Sequence, residues 1–91
     1  MGRMDEIRRV VIEELTDLAP AFEGKIKDSD RIIADLKLTG DDASIFAMLA
    51  AKRLGIKVPL RAWRQVYTVG DAIETLRTHA ASDVPGGGET N

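Results

Sequence analysis

The chain has no cysteine, and this excludes disulfides, thiolate nucleophiles and cysteine-ligated zinc together. It has a single histidine, His79, so a cluster of histidine metal ligands is excluded as well. Only four aromatic residues are present, which argues against a platform for stacking single-stranded nucleic acid bases. With so little catalytic chemistry available, we expect a protein that is not an enzyme.

Long apolar runs are also missing. No run approaches the roughly 20 residues that a membrane span needs, and the N-terminal segment MGRMDEIRRV lacks the apolar core of a signal peptide. We therefore expect a cytoplasmic protein with no membrane partner. The 91 residues suffice for one core, and we predict a helical domain over residues 1–80. A disordered tail is predicted over residues 81–91, where three consecutive glycines stand.

Charge is unevenly distributed, although the formal net charge is only −2. Residues 1–42 carry eleven acidic and seven basic side chains. Residues 43–70 carry five basic side chains and no acid. This pattern predicts either an ordinary solvated surface or a basic patch that attracts an acidic partner.

Apolar residues recur at helical spacing in three segments, and no segment alternates as a strand does. We predict helices from about residue 3 to 19, from 40 to 54 and from 69 onward. The first closes before a proline, and the second ends at a glycine that suits a C-cap. Two capping pairs mark the later starts: Thr39 with Asp42, and Thr68 with Asp71.

Two shorter helical segments complete the prediction. Residues 30–36 are expected to form a short turn of helix that buries Ile32, Ile33 and Leu36. Residues 59–67 are expected to hold another, with apolar side chains at Leu60 and Trp63. The fold class predicted from these patterns is an all-α bundle.

Five motifs follow one another along the later part of the chain. They are Asp35-Leu36, Gly40-Asp41-Asp42, Leu54-Gly55, IKVP at residues 56–59 and TVGDAI at residues 68–73. Their order and spacing resemble the acyl carrier protein family. The similarity runs without a gap from about residue 31 to residue 76, and helix one is similar in pattern. It implies a four-helix bundle with a long first loop and a short third helix.

The chain departs from the family at the attachment site. Acyl carrier proteins place an Asp-Ser-Leu triplet at the start of helix two, where the serine carries 4'-phosphopantetheine. In gapless register this chain has Thr39, Gly40 and Asp41 instead, and glycine offers no hydroxyl. The comparison therefore implies a family-like domain without the prosthetic group, which acts by binding another protein.

An alternative keeps the carrier function. Ser44 follows Gly40 by four residues, one helical turn on the same face. If helix two began a turn later, Ala43-Ser44-Ile45 would imitate the missing triplet. The chain would then be a specialised carrier of an acyl or aminoacyl group, with phosphopantetheine on Ser44, in fatty-acid, polyketide or related biosynthesis.

The family also shows an acidic second helix to its enzymes, whereas this chain is basic over residues 43–70. By complementarity we expect an acidic protein partner. The partner-binding residues that we predict lie on helix two and helix three: Asp41, Ser44, Met48, Arg61, Trp63 and Arg64.

The remaining motifs do not predict a function. Asp28-Ser29-Asp30 begins like a calcium loop, but Ile33 stands where such a loop needs glycine. His79 has no serine or aspartate partner in the sequence pattern, so a catalytic role is not expected. A DNA-binding helical pair is disfavoured because the net charge is negative. We expect no metal site and no nucleic acid partner.

Overall fold

Four α-helices form the chain in a computed structural model that describes residues 3–82 and the side chains of residues 4–80. The helices are α1 (Arg3–Leu18), α2 (Gly40–Leu54), α3 (Leu60–Trp63) and α4 (Val69–Ser82), with a short 3-10 helix at Pro20–Phe22. No strand occurs within residues 3–82, so the all-α prediction is confirmed. None of the described helices combines the length and apolarity that crossing a membrane requires.

The start of α2 is fixed by a reciprocal capping box. The Thr39 hydroxyl accepts a hydrogen bond from the Asp42 backbone N–H at 3.0 Å. The Asp42 carboxylate accepts one in return from the Thr39 backbone N–H at 3.3 Å. At the other end Gly55 adopts a left-handed conformation (φ 67°), which glycine reaches without steric cost. Both predicted boundaries of this helix are confirmed.

The start of α4 is capped by the same kind of reciprocal hydrogen bonds. The Thr68 hydroxyl accepts from the Asp71 N–H at 3.0 Å. The Asp71 carboxylate accepts from the backbone N–H groups of Thr68 at 3.1 Å and Tyr67 at 3.0 Å. These hydrogen bonds to the charged form, from Tyr67 first and Thr68 second, hold the pKa of Asp71 below its usual value.

The core lies where α1 packs against α2 and α4. The apolar residues that recur at helical spacing in α1, α2 and α4 are mostly buried. The buried side chains of these three helices include Ile7, Val11, Leu15, Phe46, Ala50, Leu54, Val69, Ile73 and Leu76. Leu49 lies between the buried residues Phe46 and Ala50 in sequence, but it is 37% exposed.

The prediction for residues 30–36 is only partly right. Ile32 and Leu36 are buried, but Ile33 is 52% exposed. The Asp35 and Leu36 N–H groups both donate to the Arg31 carbonyl, at 2.9 and 3.1 Å, so the segment closes a turn and does not continue as a helix. The Ile32 N–H donates to the Tyr67 carbonyl at 2.9 Å, which joins this turn to the residues before α4.

The long connection between α1 and α2 is hydrogen-bonded to both α1 and α4. Arg8 on α1 makes two hydrogen bonds to the Asp28 carboxylate, at 2.5 and 3.0 Å. The Gly70 N–H donates to the Asp28 carbonyl at 2.8 Å. A Cβ atom at Gly70 would lie only 3.2 Å from that carbonyl oxygen, so glycine permits the close approach. The loop is therefore a packed part of the fold.

A charged contact joins α2 to α1. Arg53 donates to Glu14 at 2.9 Å and to Glu13 at 2.8 Å. Glu14 is buried, with 10% of its side chain exposed, so Arg53 supplies the charge partner that such a carboxylate needs. The hydrogen bond from Arg53 lowers the pKa of Glu13.

The predicted tail over residues 81–91 begins inside α4, which extends to Ser82. Its remaining residues, 83–91, lie outside the described part of the chain.

Candidate functional site

Gly40 is the first residue of α2 and is exposed. Apart from its chain neighbours and the backbone of its own helix, no heavy atom lies within 4 Å of the position that a Cβ atom would take there. Steric crowding therefore does not require glycine at position 40, since a larger side chain would fit there. Because the capping box fixes the helix start at this residue, the first turn of α2 presents backbone N–H groups and no side-chain hydroxyl at position 40.

Ser44 lies one turn further into the helix, about 6 Å along its axis. It is exposed, and it lines a groove beside α2. Ala43, the residue before it, is partly buried and packs against the core. Ser44 is thus an interior residue of α2 and does not stand at its N-terminus.

The groove has a volume of about 790 Å³ and runs along one side of α2. Its walls come from three other parts of the chain: the turn at 31–34, the segment 56–58 with α3, and residues 66–67. On α2 the lining residues are Ala43, Ser44, Ile45, Phe46, Ala47, Met48 and Ala51. The alanines recur every four residues, so they form one smooth strip along the helix.

Large apolar side chains are concentrated at this groove. Seven are exposed in the described part of the chain, and five of them line it. They are Ile33 at 52%, Ile45 at 42%, Met48 at 62%, Leu60 at 70% and Tyr67 at 69%. A contiguous exposed apolar patch of this kind marks an interaction surface more often than scattered single residues do.

Trp63 connects the groove to the core. It is half-buried and packs edge-on against Phe46, with ring centroids 6.3 Å apart and an interplanar angle of 72°. Phe46 itself is 1% exposed, so the indole is held on a rigid support. Such aromatic pairs add about 0.5–1.5 kcal/mol beyond the area they bury.

The charges at the groove are of one sign. Arg31 and Lys57 are among the lining residues, and none of the lining residues is acidic. Arg31 is paired with Asp35 at 3.1 Å, and its side-chain hydrogen bonds lower the pKa of that carboxyl. Lys57 has no ion pair within the described residues, so its charge is available to a partner.

The structure places the six predicted partner-binding residues at different sites on the surface. Ser44, Met48 and Trp63 line the groove together. Arg61 lines a smaller depression on the other side of α3, which includes Asp71 and His79. Asp41 and Arg64 are exposed and line neither.

Sequence reasoning missed Ile45, Tyr67 and the exposure of Leu60 as parts of this surface. One signal was available: Ile45 and Met48 place bulky apolar side chains on the face of α2 opposite its core residues. A fully solvated helix face would carry polar residues at these positions.

The groove offers little catalytic chemistry. Its lining has the hydroxyls of Ser44 and Tyr67 but no carboxylate or imidazole that could act as a general base. His79 lies outside it, with Nδ1 2.9 Å from the Thr75 carbonyl oxygen. Among the side chains that the structure describes, no three potential ligands group into a metal site. The groove's lining supplies apolar contacts and the two hydroxyls.

No protein-family model, curated protein or solved structure matches the chain. Its function is therefore argued from its own residues.

Proposed function

We propose that the chain is a non-enzymatic, acyl-carrier-like helical domain that carries no phosphopantetheine and acts by binding another protein. The architecture is compatible with the resemblance: a long connection precedes α2, α3 is short, and the TVGDAI motif opens α4. The apolar groove beside α2 supplies a surface on which such binding can occur.

One observation carries the proposal. Gly40 stands at the helix start where the family has its serine, and both hydrogen bonds of the capping box hold the start of α2 at this residue. A start one turn later would release Thr39 and Asp42 from these bonds. Capping interactions of this kind contribute about 0.5–2 kcal/mol, so the later start is disfavoured.

A second function is favoured by a different observation. Ser44 is exposed beside an apolar groove, and a serine on α2 with an apolar surface nearby is compatible with a carrier that shelters its cargo. Phosphopantetheine on Ser44 is therefore the alternative that an experiment must address. It lacks the aspartate that precedes the serine in the family, since Ala43 stands there.

The test is an intact mass measurement. The purified protein is incubated with coenzyme A and a broad-specificity phosphopantetheinyl transferase, with an ordinary acyl carrier protein as positive control. We expect no added mass. An increase equal to one phosphopantetheine group, absent from a Ser44→Ala variant, would overturn the proposal and establish the alternative.

A gain-of-function variant checks that the fold itself is recognisable. Thr39→Asp, Gly40→Ser and Asp41→Leu together recreate the family triplet. The position of Gly40 has room for a side chain, and aspartate is a good N-cap residue, so the variant should fold. We expect the transferase to modify it at position 40. If the folded variant stays unmodified, the surface that the transferase recognises has diverged as well.

A further inference from the structure

We propose that the groove beside α2 binds an amphipathic helix whose apolar side chains enter the groove and whose flanking residues are acidic. This inference rests on the proposed function, because it names the kind of partner and the site. The groove is made by residues of four separate segments of the chain, so it is a feature of the folded bundle.

The shape of the groove suits a helix. From Ala43 to Ala51 its floor runs about 12 Å along α2, which is the span of two turns of a docked helix. An amphipathic helix presents anchors at i, i+3 or i+4, and i+7 over that length. Alanine at every fourth position of the floor allows the backbone of a second helix to approach closely, with Met48 and Leu60 beside it.

The exposure of the walls favours a macromolecular partner. Met48, Leu60 and Tyr67 each keep more than half of their surface in solvent. A small ligand in a deep site would have most of its surface enclosed, whereas these side chains extend outward and would pack around a larger apolar ridge. Methionine is also common at surfaces that accept helices, since its side chain is flexible.

The basic residues at and beside the groove favour an acidic partner. Lys57 lines the groove and is unpaired within the described residues, and the whole segment 43–70 contains no acid. Arg64 follows Leu60 by four residues, so it extends the basic flank past α3. A helix with glutamates beside its apolar anchors would place them near these cations, and a lysine-rich helix would be repelled.

The chain's own C-terminal segment is a poor occupant. Residues 83–91 contain Val84 as their single large apolar residue, followed by a proline and three glycines. That composition cannot supply anchors at helical spacing. Residues 83–91 are therefore not the occupant that we propose.

The experiment uses designed peptides and the full chain. The acidic probe is a peptide of about 18 residues, long enough to populate a helix, with leucines at i, i+3, i+4 and i+7 and glutamates on its flanks. One control peptide replaces each glutamate with lysine. A second has the acidic composition in an order that abolishes the helical period. Binding is followed by peptide anisotropy and by the emission of Trp63, the single tryptophan.

We expect the acidic peptide to bind, to shift the Trp63 emission to shorter wavelength and to weaken as salt is added. The two control peptides should bind at least tenfold more weakly. Met48→Glu should reduce affinity at least about fivefold, as for a residue at the centre of an interface. Met4→Glu is the matched control, since Met4 is exposed but lies outside the groove, and it should leave the affinity unchanged.

A charge reversal sharpens the test. A Lys57→Glu, Arg64→Glu variant should lose affinity for the acidic peptide and gain it for the lysine peptide. The inference is overturned if no peptide binds, if the lysine peptide binds equally well to the unaltered chain, or if Met48→Glu has no more effect than Met4→Glu.

Two other occupants would also overturn it. A Trp63 shift produced by decanoate but by no peptide would assign the groove to a small amphiphile. Self-association that Met48→Glu abolishes would assign it to a second copy of the chain. None of these results depends on the mass measurement, so a modified Ser44 would refute the proposed function while the peptide result still decides the groove.

Discussion

Removing the Thr39 hydroxyl tests whether α2 begins at Gly40. Thr39→Ala deletes the acceptor of the Asp42 N–H, a 3.0 Å hydrogen bond at an exposed helix end. Loss of such a cap costs about 1 kcal/mol. For a domain of this size, 1 kcal/mol corresponds to a fall in Tm of about 4–8 °C.

Circular dichroism during thermal and urea unfolding measures both the helix content and the free energy of unfolding. Thr39→Asp serves as the matched control, since aspartate also caps well, and it should retain nearly the full stability. Asp42→Ala should lose a similar amount, and the double variant less than the sum, because the two residues act as one unit.

An unchanged Tm for Thr39→Ala would show that the Thr39 hydroxyl does not cap α2, as expected if residues 39–42 lie outside the helix in solution. The start of α2 would then fall near Ala43, and Ser44 would stand where the carrier family has its serine.

Two further predictions concern the ion pair between α2 and α1 and the carboxylate that caps α4. Arg53→Ala should lower the free energy of unfolding in urea by about 1–3 kcal/mol, because Glu14 would stay buried without its cation. Arg9→Ala is the control: it removes a 3.6 Å contact to exposed Glu13 and should cost under about 0.5 kcal/mol. Equal losses of stability in the two variants would contradict the role of Arg53 as partner of the buried Glu14. The pKa of Asp71 is lowered in the folded chain, so its contribution to stability is present above about pH 4 and is lost as the pH falls through its folded pKa. Asp71→Asn should therefore make unfolding less steeply pH-dependent below pH 4 in acid titrations followed by circular dichroism, and an unaltered acid profile would count against the hydrogen-bonded carboxylate.

The helices could be predicted from the sequence because their boundaries depend on residues that are close together in the sequence. A capping box requires only Thr39 and Asp42, three residues apart, and a left-handed helix end requires only Gly55. Apolar periodicity likewise identified the core faces of α1 and α4. These features are encoded within one or two helical turns.

The groove could not be predicted, because it depends on contacts between distant segments. Ile33 has the sequence character of a core residue, but 52% of its surface is exposed in the folded chain. Leu60 has helical spacing with Trp63, but Leu60 is 70% exposed whereas Trp63 packs against Phe46. The link from Arg53 to Glu13 and Glu14 spans about 40 residues and has no signal in a single sequence.

The covalent state of the chain decides between the two proposed functions, and the protein made by its own organism shows that state. Intact mass measurement of that protein, purified without added transferase or coenzyme A, should give the mass of the unmodified polypeptide. A species heavier by one phosphopantetheine group, with the fragment mass assigned to Ser44, would contradict the account.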